Sequence, residues 1–82
     1  MKRSQAMQVT TYYINNIPVY IRNLPSGDIA VWHPYNLKLG SIIYGICIGH
    51  GYWDSDYKNW VIFNGFASQV ISAIHARSSY HV

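Results

Sequence analysis

Gly51-Tyr52-Trp53-Asp54-Ser55-Asp56-Tyr57-Lys58-Asn59-Trp60-Val61-Ile62-Phe63 is the stretch that decides the fold. It predicts a β-hairpin, because the aromatic and β-branched residues at both ends suit a pleated, half-buried surface. The polar residues between them favour a loop, since Asp and Asn side chains bond nearby backbone and tolerate turn geometry. The second strand runs from Trp60 to Phe63, and we expect both of these aromatic residues in the core.

The N-terminal half predicts a three-stranded antiparallel meander. Residues 9–14 and 17–22 are rich in β-branched and aromatic residues, and Asn15-Asn16 between them tolerates the positive φ of a hairpin turn. Residues 24–28, Leu-Pro-Ser-Gly-Asp, place proline and glycine as a tight turn requires. Residues 29–33 follow as the third strand.

A first helix is predicted after the meander. Its apolar stripe comprises Tyr35, Leu39, Ile42, Ile43 and Ile46. Asn36 is the expected N-cap. Gly40 and Gly45 weaken the prediction by about 1 kcal/mol each relative to alanine, so a strand over residues 41–48 is the alternative. If the helix forms, we expect Gly40 to allow close packing on the sheet.

A second helix is predicted over residues 66–76, with Asn64 or Gly65 as its cap. The ends of the chain, residues 1–6 and 78–82, are expected to be flexible. The predicted fold is therefore a single α+β domain over residues 1–82. It has an antiparallel sheet of about five strands, built from the meander and the aromatic hairpin, with two helices packed on one face.

The composition favours a small binding module. The 82 residues allow one core, and eight tyrosines in so small a domain must leave some rings on the surface or in an interface. Six Lys and Arg face three acidic residues, giving a net charge of +3. The bases are scattered, so the chain lacks a basic tail that would bind nucleic acid alone.

The sequence indicates a soluble cytoplasmic protein without a membrane segment. The basic start is followed by no apolar run of signal-peptide type, and no run approaches the roughly 18 apolar residues of a membrane span. The one cysteine, Cys47, has no internal disulfide partner, which fits a reducing compartment.

Catalytic and metal sites are the weaker interpretation of the polar residues. Asp54 and Asp56 are typical of a turn, and too few carboxylates accompany them to complete a Mg²⁺ or Ca²⁺ shell. Cys47 and His50 have a spacing compatible with two zinc ligands, but a structural zinc site needs four. A buried thiol and a surface imidazole are therefore expected. We predict no enzyme activity, no cofactor and no metal.

The chain resembles the HARP (HepA-related protein) domain, a module attached to annealing helicases. The matching residues are Tyr35, Leu39, Trp53-Asp54, Lys58, Trp60-Val61-Ile62 and the stripe from Val70 to Ile74. The resemblance covers roughly the C-terminal half and implies a role at nucleic acid. The hairpin departs from the family pattern, because Gly51-Tyr52 replaces a basic residue and Lys58 is the single base of the loop. Fewer bases weaken a grip on phosphates.

These observations give two hypotheses. The first is a non-catalytic module that engages nucleic acid or a nucleic-acid-processing complex through five contacts, Tyr52, Trp53, Tyr57, Lys58 and Arg22. The alternative is a virus- or plasmid-encoded inhibitor of a host defence nuclease, similar to anti-CRISPR proteins, that acts by protein contact through aromatic anchors. A homodimer formed by pairing of the strand at residues 9–14 is a third interpretation.

Overall fold

The computed structural model describes residues 9–81 of the chain. The elements in chain order are β1 Val9–Ile14, β2 Ile17–Asn23, β3 Ile29–Trp32, α1 Leu37–Cys47, β4 Gly51–Asp54, β5 Asn59–Ile62, a 3₁₀ turn Asn64–Phe66, α2 Ala67–Arg77 and β6 Tyr80–His81. Five antiparallel strands, extended by the two-residue β6, form one sheet in the order β4-β5-β3-β2-β1-β6. This is the α+β fold that the sequence predicts.

Local turn chemistry sets the registers of the meander. Asn15 and Asn16 have φ values of 54° and 65°, so β1 and β2 are joined by a two-residue turn with Ile14 paired to Ile17. In the next turn Gly27 has a φ of 94°, and its amide donates to the carbonyl of Leu24 at 3.0 Å. Both turns confirm the predictions.

The aromatic hairpin also forms as predicted. Trp53 pairs with Trp60 and Asp54 with Asn59, which leaves a four-residue loop. The Oδ1 atom of Asp54 accepts from the backbone amides of Asp56 at 2.9 Å and Tyr57 at 3.3 Å. Asp54 therefore holds the turn, as expected for an aspartate at this place.

The core lies between one face of the sheet and the two helices. It includes Val19, Ile21, Ile29, Val31, Trp60 and Ile62 from the sheet and Leu39, Ile43, Cys47, Val70 and Ile74 from the helices. Because successive strand residues point to opposite faces, the alternate residues form a second face that we call the open face. β5 lies between β4 and β3, and all four of its residues are buried.

The first helix forms as predicted, with one residue of the predicted stripe outside it. It begins at Leu37, with Asn36 as N-cap accepting from the amide of Leu39 at 2.9 Å, so that cap is confirmed. Tyr35 lies before the helix and is 87% exposed, which corrects its place in the apolar stripe. The alternative strand over residues 41–48 is wrong. Close packing at Gly40 is wrong too, since a Cβ atom there would have only His33 Cε1 nearby, at 4.0 Å.

The segment before the second helix differs from the prediction. Residues 64–66 form a 3₁₀ turn, and the N-cap position of α2 is Phe66, with no side-chain cap. The side chain of Asn64 instead donates to the carbonyl of Gly27 at 2.7 Å, and its amide donates to Asp28 Oδ1 at 2.9 Å. A contact to the β2–β3 turn has thus replaced the expected cap.

Two further predictions are corrected at the ends of strands. Phe63 was expected in the core but is 47% exposed, because Ile62 takes the covered side and the next residue falls on the other side. Residues 80–81 were expected to be flexible, but they pair with β1 at Tyr12 and Tyr13. This pairing occupies part of the edge at which a second copy was expected to add. The predicted flexible lead-in, residues 1–6, lies outside the described residues.

Candidate functional site

The strand registers divide the five predicted contact residues between different surfaces. Tyr52 is aligned across the sheet with Val61, Ala30 and Arg22, so the first and last of this row lie on the open face. Trp53 is next to Tyr52 in sequence and therefore points to the helix side of the sheet. The predicted set is thus not a single cluster.

Lys58 and Tyr57 belong to the β4–β5 loop. Tyr57 is 71% exposed and lies against the open face. Lys58 is exposed and has a φ of 58°, a left-handed conformation that disfavours a side chain with a Cβ atom. The loop therefore places the Tyr57 ring at one end of the open face, whereas Lys58 is exposed on the loop and lines neither of the two hollows there.

A groove runs over the open face where the small residue Ala30 lies between larger ones. We define the open-face groove by Val9, Tyr20, Arg22, Ala30, Trp32, Tyr57 and Asn59, which line a hollow of about 290 Å³. A second hollow of about 400 Å³ shares Arg22, Tyr57 and Asn59 and extends to Tyr52 and Asp54. The buried methyl group of Ala30 forms the shared floor, and the aromatic rings stand around it.

The wall of this groove is an aromatic pair. Tyr20 of β2 is directly opposite Trp32 of β3, and their rings stack with centroids 5.3 Å apart and planes inclined by 22°. Neither residue was among the predicted contacts. The signal was present, because the alternation along β3 placed Trp32 opposite to the core residue Val31. Only the pairing with β2, however, brings Tyr20 beside it.

Arg22 supplies the positive charge of the open-face groove. Its side chain is half-buried, and among the described residues no carboxylate forms an ion pair with it. Asp54 lines the neighbouring hollow, but one of its oxygens accepts the two loop amides. The guanidinium is therefore available to an anion in the open-face groove, where it is the sole charged group that the described residues contribute to the lining.

A second apolar surface lies on the helix side. We define the helix-side groove, of about 510 Å³, by His33, Tyr35, Asn36, Leu37, Gly40, Ser41, Tyr44, Trp53 and Trp60. Trp60 forms its floor, with its ring centroid 6.0 Å from those of both Trp53 and Tyr44. Tyr35 and Leu37 are 87% and 78% exposed. Within residues 9–81, no Asp, Glu, Lys or Arg side chain lines this groove.

The Cys47 and His50 pair has a structural place. The thiol is fully buried in the core, as expected. His50 is half-buried rather than on the surface, because its ring stacks on Phe66 with centroids 4.8 Å apart. Its Nε2 lies 3.2 Å from Gln69 Nε2. Within the described part of the chain, no three His, Cys, Asp or Glu side chains are grouped to hold a metal ion.

Burial raises the pKa of the Cys47 thiol from 9.0 to about 12. The thiol of the unfolded chain ionises from pH 9 upward while the folded one stays neutral, so its contribution to stability is lost as pH rises from 9 to 12. We expect the stability difference between wild type and Cys47→Ala to shrink by about 1 kcal/mol between pH 8 and pH 10. Urea denaturation of both proteins at each pH measures this difference in the free energy of unfolding. Ionisation of the tyrosines affects both proteins equally and therefore does not contribute to the difference. An unchanged difference would contradict the burial argument.

Comparison with known proteins adds no relative. No protein-family model matches the chain, and no curated protein or solved structure matches it. Among the described residues, neither helix has the length and apolar character needed to cross a membrane.

Proposed function

We propose that the protein is a non-catalytic module that binds single-stranded nucleic acid on the open face of its sheet. The observation that carries the proposal is the stacked Tyr20–Trp32 pair beside the unpaired guanidinium of Arg22. Aromatic rings on a sheet surface stack on unpaired bases, and each such contact contributes about 1–3 kcal/mol. The guanidinium supplies the bidentate hydrogen bonds that a phosphate accepts.

This proposal moves the expected site from the aromatic hairpin to the whole open face. Tyr52, Tyr57 and Arg22 remain contacts, with Lys58 at the rim of the loop, and Trp53 leaves the set because it lies on the helix side. A distant relationship to the HARP domain, based on the sequence resemblance in the C-terminal half, remains part of the proposal. A reducing cytoplasm suits the free, buried thiol of Cys47.

Binding is tested by fluorescence anisotropy with labelled single-stranded DNA and RNA oligonucleotides at low salt, with duplex DNA as comparison. We expect single strands to bind and Tyr57→Ala to weaken their binding about fivefold or more, because one stacking ring is lost. If Arg22 and Lys58 each neutralise one phosphate, the logarithm of the affinity falls with the logarithm of salt concentration with a slope of about −1.4.

Tyr35→Ala is the matched control, since it removes an exposed tyrosine from the helix side. The affinity of Tyr35→Ala for the single-stranded oligonucleotides should equal that of wild type. Equal losses of affinity in Tyr35→Ala and Tyr57→Ala would place the contact elsewhere than the open face. If wild type binds none of the oligonucleotides, the proposal of direct nucleic-acid binding is wrong.

A second candidate function is favoured by the helix-side groove. Exposed aromatic and aliphatic side chains without charged neighbours suit a protein partner, because aromatic residues are enriched and charges are depleted at interface cores. We therefore keep as an alternative proposal an inhibitor of a host defence nuclease that acts by protein contact. Tyr44, which is 55% exposed and packs on Trp60, would be its central anchor.

Affinity capture from a nuclease-treated host lysate separates the two functions. The inhibitor proposal expects one stoichiometric nuclease subunit, retained by wild type and by Tyr57→Ala but lost with Tyr44→Ala. Material that disappears on nuclease treatment supports the first proposal instead.

A further inference from the structure

Asn59 is a buried polar residue without a structural role at its oxygen. Its side chain is 6% exposed, and the Oδ1 atom has no hydrogen-bond partner among the described residues. An acceptor left unpaired in this way destabilises the fold, and native proteins pair most such groups. Its neighbours on β5, Trp60 to Ile62, are apolar and buried, so an apolar residue would suit position 59 in the sheet.

Asn59, with its unpaired side-chain oxygen, lies in the lining of the proposed binding site. It is the buried polar residue of the open-face groove, and it also lines the adjoining hollow. Tyr57 stands near it on the loop side, and Trp32 on the side of β3. Arg22 completes the lining, so an aromatic surface, an amide edge and a cation surround one hollow of about 290 Å³. A single nucleotide offers the complementary ring, base edge and phosphate.

Given the function proposed above, we infer that the open-face groove is a subsite for one adenine nucleotide, read by Asn59. An amide carries one acceptor and two donor hydrogens on neighbouring atoms. Adenine presents the matching pair, because its N6 amino group donates and its N7 accepts, and asparagine pairs with this edge in two hydrogen bonds. The base stacks against Trp32 or Tyr57 while Arg22 binds its phosphate.

Pairing requires a small motion of Asn59. Its Oδ1 is covered by protein, so the amide must turn about the Cβ–Cγ bond to present both atoms to a base. This torsion has a broad energy profile in asparagine. Since Oδ1 has no partner in the described part of the chain, the rotation breaks no hydrogen bond to those residues at that atom.

The inference predicts that base selectivity and stability change in opposite directions. Asn59→Leu has nearly the same shape and removes both polar atoms, so we expect the midpoint of thermal unfolding to rise by about 4 °C or more. The same variant should lose its preference for adenine. A residue that was merely structural would lower stability when replaced and would leave the base preference unchanged.

The probes are a thymidine heptamer, the same heptamer with one central adenine, and a third in which that adenine carries two methyl groups on N6. Dimethylation removes the donors and keeps the purine ring, so it separates hydrogen bonding from stacking. We expect wild type to bind the adenine probe about fivefold or more tightly than the other two, and Asn59→Leu to bind all three equally. Ribonucleotide versions of the probes show whether the subsite takes RNA as well as DNA.

Each failure has a distinct meaning. Equal binding of all three probes by wild type, or an adenine preference that survives in Asn59→Leu or with dimethylated adenine, overturns the adenine subsite and leaves single-strand binding intact. No binding of any probe overturns the proposed function itself. If Asn59→Leu does not fold, Asn59→Ala, which is smaller and has no polar side-chain atom, is tested against the same probes. Retention of the adenine preference by Asn59→Ala would likewise overturn the inference.

Discussion

Gly51→Ala is expected to lower the free energy of unfolding by about 3 kcal/mol or more. A Cβ atom at position 51 would overlap the carbonyl oxygen of Val61 and lie 2.8 Å from the Cα atom of Ile62. Both atoms belong to the backbone of the paired strand β5, so no side chain can turn aside to make room. β4 would have to separate from β5, and the open face would lose the strand that carries Tyr52.

Urea denaturation monitored by tryptophan fluorescence measures the effect of Gly51→Ala. Gly45→Ala is the matched control, because Gly45 lies inside α1 and a Cβ atom there would have no neighbour within 4 Å. The free energy of unfolding of Gly45→Ala should rise by about 0.5–1 kcal/mol, since alanine favours a helix more than glycine does. A Gly51→Ala protein as stable as wild type would show that the two strands can move apart without cost.

Sequence reasoning succeeded where short-range chemistry decides the structure. The two-residue turn at Asn15-Asn16 and the helix start at Asn36 depend on residues within four positions of each other, so each could be predicted without the rest of the chain. The stripe of α1 also predicted its buried residues Leu39 and Ile43. Two glycines inside that helix did not prevent it, because burial of the stripe outweighs the intrinsic cost of glycine.

Sequence reasoning failed where distant segments decide the environment. Asn64 has the composition of a helix cap, yet contacts with residues 27 and 28 take up its side chain and its amide. Tyr80 and His81 have no local reason to form a strand, and only the open edge of β1 provides one. Such contacts span more than 35 positions, and local pattern carries no information about them.

The candidate site shows the same division. Alternation along residues 29–33 places Trp32 on the face opposite to Val31, but Tyr20 and Arg22 became its neighbours only through the pairing of β2 with β3. Grouping Tyr52 with Trp53 was wrong as a description of one surface, because adjacent strand residues face opposite sides. Asn59 was assigned to the loop end of the hairpin, and its unpaired oxygen is visible only in three dimensions.

Trp60→Ala is expected to lower the free energy of unfolding by about 3–5 kcal/mol, because it leaves a large cavity in the core. Trp60 is 8% exposed on β5, which lies between β4 and β3, and its ring lies against those of Trp53 and Tyr44. It is thus the floor of the helix-side groove as well as part of the core, and its loss should also abolish any protein contact made there.

Trp53→Ala is the matched control for Trp60→Ala, since the two residues pair across the hairpin and differ mainly in exposure. Trp53 is 48% exposed, so it buries less apolar area on folding than Trp60 does. Trp53→Ala should therefore lower the free energy of unfolding by only about 1 kcal/mol. Chemical denaturation of both variants, followed by circular dichroism so that loss of a fluorophore does not matter, measures the difference. Equal losses would mean that the hairpin contributes to stability through both indoles as one unit, and that Trp53 is part of the core rather than of an exposed surface.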